Sequence, residues 1–592
     1  MPDLPSLFGQ LPRVRTWSRL GLFVLAGWLG LIDLRATGRA SAGDRPNVLF
    51  IAVDDLRPEF GAYGAPHVHS PHLDRLARSG VTFLRAYCQQ AVCSPSRSSV
   101  LTGARPDTTR VYDLNTHFRT ALPQVVTLGE HFKNHGYFVQ GVGKIYHPGF
   151  DDTPTWSVPW HTPTAPTYAL PESEPASNEP ASNEPASNEP AGQKNDPDQP
   201  AGPSDAGAPT GAPPAADPAP QAGSPAQPRR AGPPGRARRR RAANAASPQQ
   251  SANTPTANTP TANTPGANTP KKNANRRPNA KGLAFEAADV PDHTFRDARV
   301  ADAAIRILEQ RGDQAQPFFL AVGFAKPHLP FVAPRRYWDL YPPGELALAP
   351  NPFRPEGAPP YAIGPGGELH AYRGIPREIP DELARQLKHG YYAALSYMDA
   401  QLGRVLDALD RLGLRENTLI VLWGDHGWKL GEHAAWCKHS NCENDTRVPL
   451  LVSGPGVKHP GVQTSGLVEL VDLYPSLCDL AGLPLPEHLE GTSFRGLLDQ
   501  PNREWKRAAL SQYPRTHAGE ALMGYSLRTA THRFTAWVRR NRPDEIVAVE
   551  LYDHTVDPQE NTNLASREET RALQAELLKL HRAGWRGARP GF

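Results

Sequence analysis

The chain has 592 residues and a formal net charge of +4. Its length exceeds one ordinary domain. So small a charge, inflated by one local arginine run, excludes the broad basic footprint of a nucleic-acid binder, and five cysteines exclude a disulfide-dense scaffold.

Residues 1–42 read as an export signal. Arg13, Arg15 and Arg19 precede an apolar stretch from Leu20 to Ile32, and Ala40-Ser41-Ala42 supplies small residues for cleavage. The stretch falls short of the about 20 residues a membrane span needs. A periplasmic or secreted protein is expected, with a retained N-terminal anchor as the alternative. No later segment is apolar enough to span a membrane. In an exported protein an odd cysteine count leaves one cysteine for another use, and Cys437 and Cys442 are close enough in sequence to pair. The single sequon, Asn444-Asp445-Thr446, fits a bacterial exported protein.

PNVLFIAV (46–53) is a continuous apolar run, as in a strand of a parallel sheet covered on both faces. Asp54 and Asp55 follow at its carboxyl end, where open α/β sheets place ligands. Pro71 to Ser79 has helical spacing and stops at Gly80. SRSSVLTG reads as a helix closed by Gly103. Cys93 therefore stands at or just before a helix N-terminus, where free backbone N–H groups favour anions. GYFVQGVGKIYHPG is another strand, delivering Lys144 and His147 just past its end.

Composition changes over 162–281. SNEPA repeats, a Pro/Ala/Gly stretch with Arg236 and Arg238 to Arg241, and ANTP repeats contain almost no aromatic or branched apolar residue. No core can form from them, so a disordered insertion in a surface loop is expected. Its arginines read as part of a solvated tether, or as a dock for an acidic polysaccharide or envelope surface.

Arg299 to Gln310 is then an amphipathic helix. PFFLAVGFAKPHLPF is a strand running into a loop with Lys326 and His328. Leu387 to Leu412 is a long helix with Gly413 at its C-cap. NTLIVLWGDHG and VPLLVSGPG are two further parallel strands. This alternation predicts an α/β fold with a large, mostly parallel sheet sandwiched by helices over 43–498, interrupted by the insertion. In 499–592, GYSLRTATHRFTAWV and EIVAVELYDHTVDP read as strands and REETRALQAELLKLHRAG as a helix. A smaller C-terminal subdomain is expected there, an antiparallel sheet plus helix.

Asp54, Asp55, Asp425 and His426 supply several oxygens and one nitrogen at the ends of two apolar strands. Carboxylate-rich sets suit hard cations, Ca²⁺ or Mg²⁺, while one imidazole leaves room for Mn²⁺ or Zn²⁺. Beside a divalent metal Cys93 is either a ligand or a nucleophile. Arg97, one helical turn on, can hold an anion in a bidentate fork. Lys144, His147, His328 and Lys438 are further basic groups near strand ends. Together they would line a pocket for a tetrahedral oxyanion, which points to metal-assisted transfer of a sulfuryl or phosphoryl group.

CSPSR matches the pattern Cys-x-Pro-x-Arg, and the motifs VDD, CSPSR, GKIYHPG, KPHLPF and GDHG follow in one order. In these residues the chain resembles the sulfatase family, cysteine type, with an alkaline-phosphatase-like fold. The likeness runs from residue 46 to the end apart from the insertion. VDDLRPEFGAYG, DHGWKLGEHAAWCKHSN, SQYPR and the lysine-to-histidine spacing of GKIYH resemble the family's iduronate-2-sulfatase branch. The resemblance implies that Cys93 is oxidised to formylglycine by a formylglycine-generating enzyme. It implies Ca²⁺ held by Asp54, Asp55, Asp425, His426 and the modified Cys93. Arg97 and Lys144 would orient the formylglycine, His147 would be the base for elimination, and His328 and Lys438 would bind sulfate. Asn115, Trp428 and His439 would contact the sugar, although His439 stands where the resemblance predicts tyrosine. The implied substrate is a sulfated carbohydrate, in particular a 2-O-sulfated uronic acid. A phosphoester or phosphonate hydrolase, or a polysaccharide-binding protein with a dead site, are the rival readings, since fold alone does not decide chemistry.

Overall fold

The computed structural model describes residues 45–175, 281–342, 344–364 and 366–591. The expected signal peptide 1–42 and residues 176–280 of the expected insertion lie outside them.

A seven-stranded sheet carries the molecule. Its strands are β1 (Asn47–Val53), β2 (Gly80–Phe83), β3 (Phe138–Gly143), β4 (Phe318–Phe324), β5 (Thr418–Gly424), β6 (Leu450–Ser453) and β7 (Gln463–Thr464), in the spatial order β7-β2-β6-β5-β1-β4-β3. Four of the six pairings are parallel; β6 runs antiparallel to both β5 and β2. VPLLVSGPG is therefore not a further parallel strand. A parallel return needs a crossover to the far end of the sheet. The chain from 425 to 449 instead stays at the carboxyl edge of β5, so β6 must run back.

The apolar run of β1 is buried on both faces, with successive side chains alternating between them. Leu49, Ile51 and Val53 enter one core with Val300, Ala304 and Leu308 of helix Arg296–Arg311 and Leu395, Leu402 and Leu409 of helix Asp381–Arg411. Val48, Phe50 and Ala52 enter the other, with Val100 and Leu101 of helix Cys93–Thr102 and Leu473 and Leu477. Each such fully buried side chain contributes about 1.5–3 kcal/mol, which fixes the period-2 register against slippage.

Register positions the chemistry. Val53 pairs with Gly424 on one side and Phe324 on the other, and Gly143 pairs with Gly323. Asp54, Asp425 and Lys144 thus leave one edge of the sheet side by side. The last step is close: a Cβ on Gly143, whose φ is 78°, would sit 2.1 Å from the Gly323 carbonyl oxygen. Only glycine tolerates that conformation and approach.

Residues 162–175, placed in the insertion by composition, pack on the folded part. Tyr168 is buried and donates to the Leu283 carbonyl, and the Glu286 carboxylate accepts from the backbone of Ala169 and Leu170. Arg299 and Arg373 add bonds to the carbonyls of Thr164, Glu172 and Glu174, so a stretch whose average composition is polar is held at several points.

Strands β8 (Ala509–His517), β9 (Glu520–Arg528), β10 (His532–Arg539) and β11 (Arg542–Asp553) form a four-stranded antiparallel sheet. Leu577 and Leu580 of the final helix, Arg571–Gly587, cover Leu527, Phe534 and Leu551. Glu469, on a short strand paired with Ala86–Tyr87, ties Arg105 to the segment entering β8. It accepts from both Arg105 terminal nitrogens at 2.7 and 2.9 Å and from Lys506 at 2.7 Å. Burial opposes its charge, but Arg105 and Lys506 win and lower it from 4.5 to about 2. Its stabilisation is complete above the unfolded value and is lost as pH falls towards the folded one. Glu469→Gln is expected to cost about 3–5 kcal/mol at neutral pH and to flatten the fall in melting temperature between about pH 4.5 and 2. A variant with the wild-type acid limb would refute this.

Candidate active site

Two strand ends and one helix start converge. Asp54 and Asp55 follow β1, with Asp55 in the left-handed region at φ 58°. Asp425 and His426 follow β5. Cys93 is the first residue of the helix Cys93–Thr102, all ten of whose residues are buried. Ligand-capable atoms of Asp54, Cys93, Asp425 and His426 all lie within 4.8 Å of one another, as do those of Asp54, Asp55, Cys93 and His328. Cys93 Sγ is 3.4 Å from His426 Nε2, 3.6 Å from Asp54 Oδ1 and 3.7 Å from Lys144 Nζ.

Arg97 holds this junction together. Its Nε donates to Asp425 at 2.9 Å, Nη2 to Asp54 at 3.2 Å, and Nη1 to the carbonyls of Lys144 and Ile145 at 2.5 and 3.0 Å. One guanidinium therefore joins β1, β3 and β5 from the helix that carries Cys93. The Asp425 carboxylate also accepts from the backbone N–H of Asp55 and His426. Lys144 pairs with Asp54.

Electrostatics divide the carboxylates. Burial opposes charge on Asp54, but Lys144 and Arg97 outweigh it and hold this carboxyl well below the usual range. Burial pushes Asp55 well above it; Lys438 opposes, while Asp54, Glu368 and Asp425 add to the rise. Asp55 is thus short of positive charge, which a bound cation would supply. Burial, then Asp54, raises the Cys93 thiol well above its ordinary value, so the unmodified side chain is a neutral thiol.

The opposite wall is basic. Lys438 lies 3.1 Å from Asp55 and 2.8 Å from Glu368, with its Nζ 4.7 Å from the Trp428 ring centre. His328 Nε2 lies 3.3 Å from Glu368 and 3.9 Å from Asp55. Burial lowers His328 to about 3; Asp54 opposes, and Lys438 and Lys144 add. Burial and then Lys144 lower His147 to about 3, and neither of its ring nitrogens has a hydrogen-bond partner among the described residues. Both imidazoles are neutral at physiological pH.

Every expected metal and catalytic residue thus lies in or around one cluster. The sugar-contact expectations fare differently. Trp428 has no exposed surface: it stacks on Tyr391 and lies beneath Lys438. Asn115 lies on an exposed turn held by Asp113, with no hydrogen bond to the cluster among the described residues. His439 is beside the basic wall at φ 90°, packed edge-on against Tyr513, and its carbonyl accepts from Arg515. Cys437 and Cys442 are both buried free thiols. Glu368 was missed. It sits in GPGGELH, a glycine-rich loop without an apolar run or motif to flag it.

A buried carboxylate cradle for a cation, facing a basic wall for an anion, at the carboxyl edge of an α/β sheet defines a hydrolase of anionic esters. Residues 46–156 and 244–483 match the family model described as sulfatase, and 431–583 match that described as N-sulphoglucosamine sulphohydrolase, C-terminal. The chain belongs to the sulfatase family and is a sulfuric ester hydrolase. It is similar to iduronate 2-sulfatase of Mus musculus, 31% identical over 93% of this chain and 96% of that one. The Homo sapiens iduronate 2-sulfatase is 32% identical over 91% and 95%. Among solved structures, a 2-O GAG sulfatase superposes with a TM-score of 0.58 at 20% identity, covering 91% of this chain and 92% of that one. A phosphonate monoester hydrolase from Silicibacter pomeroyi gives 0.62 at 20%, covering 92% and 96%. These two likenesses concern the fold. Among the described residues no helix is long and apolar enough to cross a membrane.

Proposed function

We propose that this enzyme removes sulfate from a carbohydrate, a 2-O-sulfated uronic acid in the first place, using a formylglycine made from Cys93 by a formylglycine-generating enzyme. The observation that carries the reading is Cys93 at a buried helix start, within 3.7 Å of Asp54, His426 and Lys144. The similarity to two iduronate 2-sulfatases supports the substrate class.

The donor set fits a hard cation. Asp54, Asp55, Asp425 and His426, with the modified Cys93, would hold Ca²⁺, with Mg²⁺ or Mn²⁺ as poorer substitutes. When bound, the ion supplies positive charge that favours ionisation of a nucleophilic hydroxyl and offsets the negative charge of the ester.

The chain's own groups do the rest. Hydration of the Cys93-derived aldehyde gives two hydroxyls on one carbon, oriented by Arg97 and Lys144. One hydroxyl oxygen attacks sulfur as its O–H bond breaks, the S–O bond to the sugar breaks with its electron pair staying on the sugar oxygen, and the proton released ends on that oxygen, so the sugar leaves as the alcohol. Lys438 and His328 face that side and stabilise the developing charge. The sulfate is now esterified to the side chain. His147, neutral and without a partner, takes the proton of the second hydroxyl. The carbonyl reforms, sulfate leaves with the electrons of its C–O bond, and water restores the hydrate. This is covalent catalysis with a built-in release step.

The same reading has an exported, mature chain without residues 1–42. Its catalytic α/β part spans 43–498 around the insertion, and its C-terminal part spans 499–592.

Purified protein is expected to cleave an aryl sulfate far faster than an aryl phosphate, and a 2-O-sulfated uronic acid faster than other sulfated sugars. Chelation should remove the activity and Ca²⁺ should restore it. Preference for the phosphate ester would sink the reading. Full activity after exhaustive chelation would sink the metal assignment alone.

A further inference from the structure

We propose that Glu368 is a positioning residue for the leaving-group side of the site, holding the Lys438 ammonium where the departing sugar oxygen gathers charge. The inference rests on the sulfatase reading above and on its role for Lys438.

Glu368 belongs to neither aspartate pair. It lies in the short helix Gly367–His370, entered through Gly366 at φ 70°. Its Oε2 forms an ion pair with Lys438 Nζ at 2.8 Å, and its Oε1 lies 3.3 Å from Nε2 of the neutral His328 ring. Three donors are available on an ammonium. Asp55 accepts from Lys438 at 3.1 Å, Glu368 pairs with it as an ion pair at 2.8 Å, and the Trp428 ring centre lies 4.7 Å from Nζ.

A lysine ammonium is a point charge on a flexible four-carbon stem, so it needs tethering to act at one place. Asp55 alone would draw Lys438 into the cation cradle and away from the ester. Glu368 pulls from the other side and keeps Nζ between cradle and substrate. His328 is anchored at its other edge, with Nδ1 2.6 Å from the Leu329 carbonyl, and a neutral ring that donates there has no proton on Nε2 to give Glu368. A carboxylate facing a sulfate directly would repel it. Spent on Lys438, the charge of Glu368 acts through that ammonium instead.

Stabilisation of a leaving oxygen matters in proportion to the charge it must carry. A sugar alkoxide is a poor leaving group; an activated phenolate barely needs help. The full chain and its Glu368→Gln and Glu368→Asp variants are assayed on a sulfated sugar and on 4-nitrophenyl sulfate. Glu368→Gln should lower kcat on the sugar about 100-fold, as for loss of a positioned proton-transfer or charge-stabilising group. On the aryl sulfate the loss should stay below about fivefold, with KM little changed on either substrate. Glu368→Asp keeps the charge and should recover part of the loss. Equal losses on both substrates would mean a structural role and overturn the proposal. A lower KM with a higher kcat would mean that Glu368 blocks the sulfate position, and would also overturn it. A wild-type chain that cleaves no sulfate ester would overturn the function reading, and this inference with it.

Discussion

Replacing Cys93 with alanine is expected to abolish turnover of every sulfate ester, by at least about 10⁴-fold, as when a covalent nucleophile is removed from other enzymes. The fold should survive, because Cys93 makes only long contacts of 3.4 to 3.7 Å, and Arg97, not Cys93, ties the strands together. The expected cost in stability is about 1 kcal/mol, near the centre of the range for point substitutions. Cys93→Ser separates nucleophilicity from release. Its single hydroxyl can accept sulfate but has no second hydroxyl to expel it, so one equivalent of leaving group should appear and turnover then stop. Steady turnover by either variant, followed by release of free sulfate, would contradict the covalent route.

Arg97→Lys is expected to be the most damaging change that keeps the charge. The guanidinium contacts Asp54, Asp425 and two carbonyls in one plane, and its side chain is about 1% exposed. An ammonium cannot reproduce that fork. Burial opposes charge on Arg97, but Asp425 and Asp54 more than offset it and raise its pKa further. Loss of the fork leaves two buried carboxylates underpaired, at about 3–5 kcal/mol. Activity should fall at least about 100-fold, because the substitution displaces Asp54 and Asp425, two of the proposed cation ligands, and the base of the Cys93 helix. Thermal unfolding and sulfate release report the two effects separately. A variant with wild-type stability would show that the junction is held by something other than Arg97.

Much of the site was legible because its residues end uninterrupted apolar runs. NVLFIAV before Asp54 and TLIVLWG before Asp425 could only be buried strands, and parallel strands in one sheet bring their ends together. Cys93 was legible from Pro95, in the first turn of its helix, and from Gly103, which caps the other end. What local sequence does not encode is which way a strand returns. β6 has the apolar content of a parallel strand, and only the path of 425–449 makes it antiparallel. Burial of a particular aromatic is equally hidden. Trp428 stood among the expected sugar contacts, yet it is fully buried, stacked on Tyr391 and beneath Lys438. Glu368 joins the site across 40 residues from His328 and 70 from Lys438, and nothing in its neighbours announces those partners. Tyr168 shows the converse: with Arg299 and Arg373 it holds a stretch whose composition reads as a tether.

The most direct test is mass spectrometry of the peptide spanning Cys93, taken from protein whose sulfate-releasing activity has been measured in the same preparation. The expected peptide carries an aldehyde in place of the thiol, reacts with a hydrazine reagent, and rises in proportion to specific activity. A fully active preparation in which Cys93 is an unmodified thiol would contradict the mechanism.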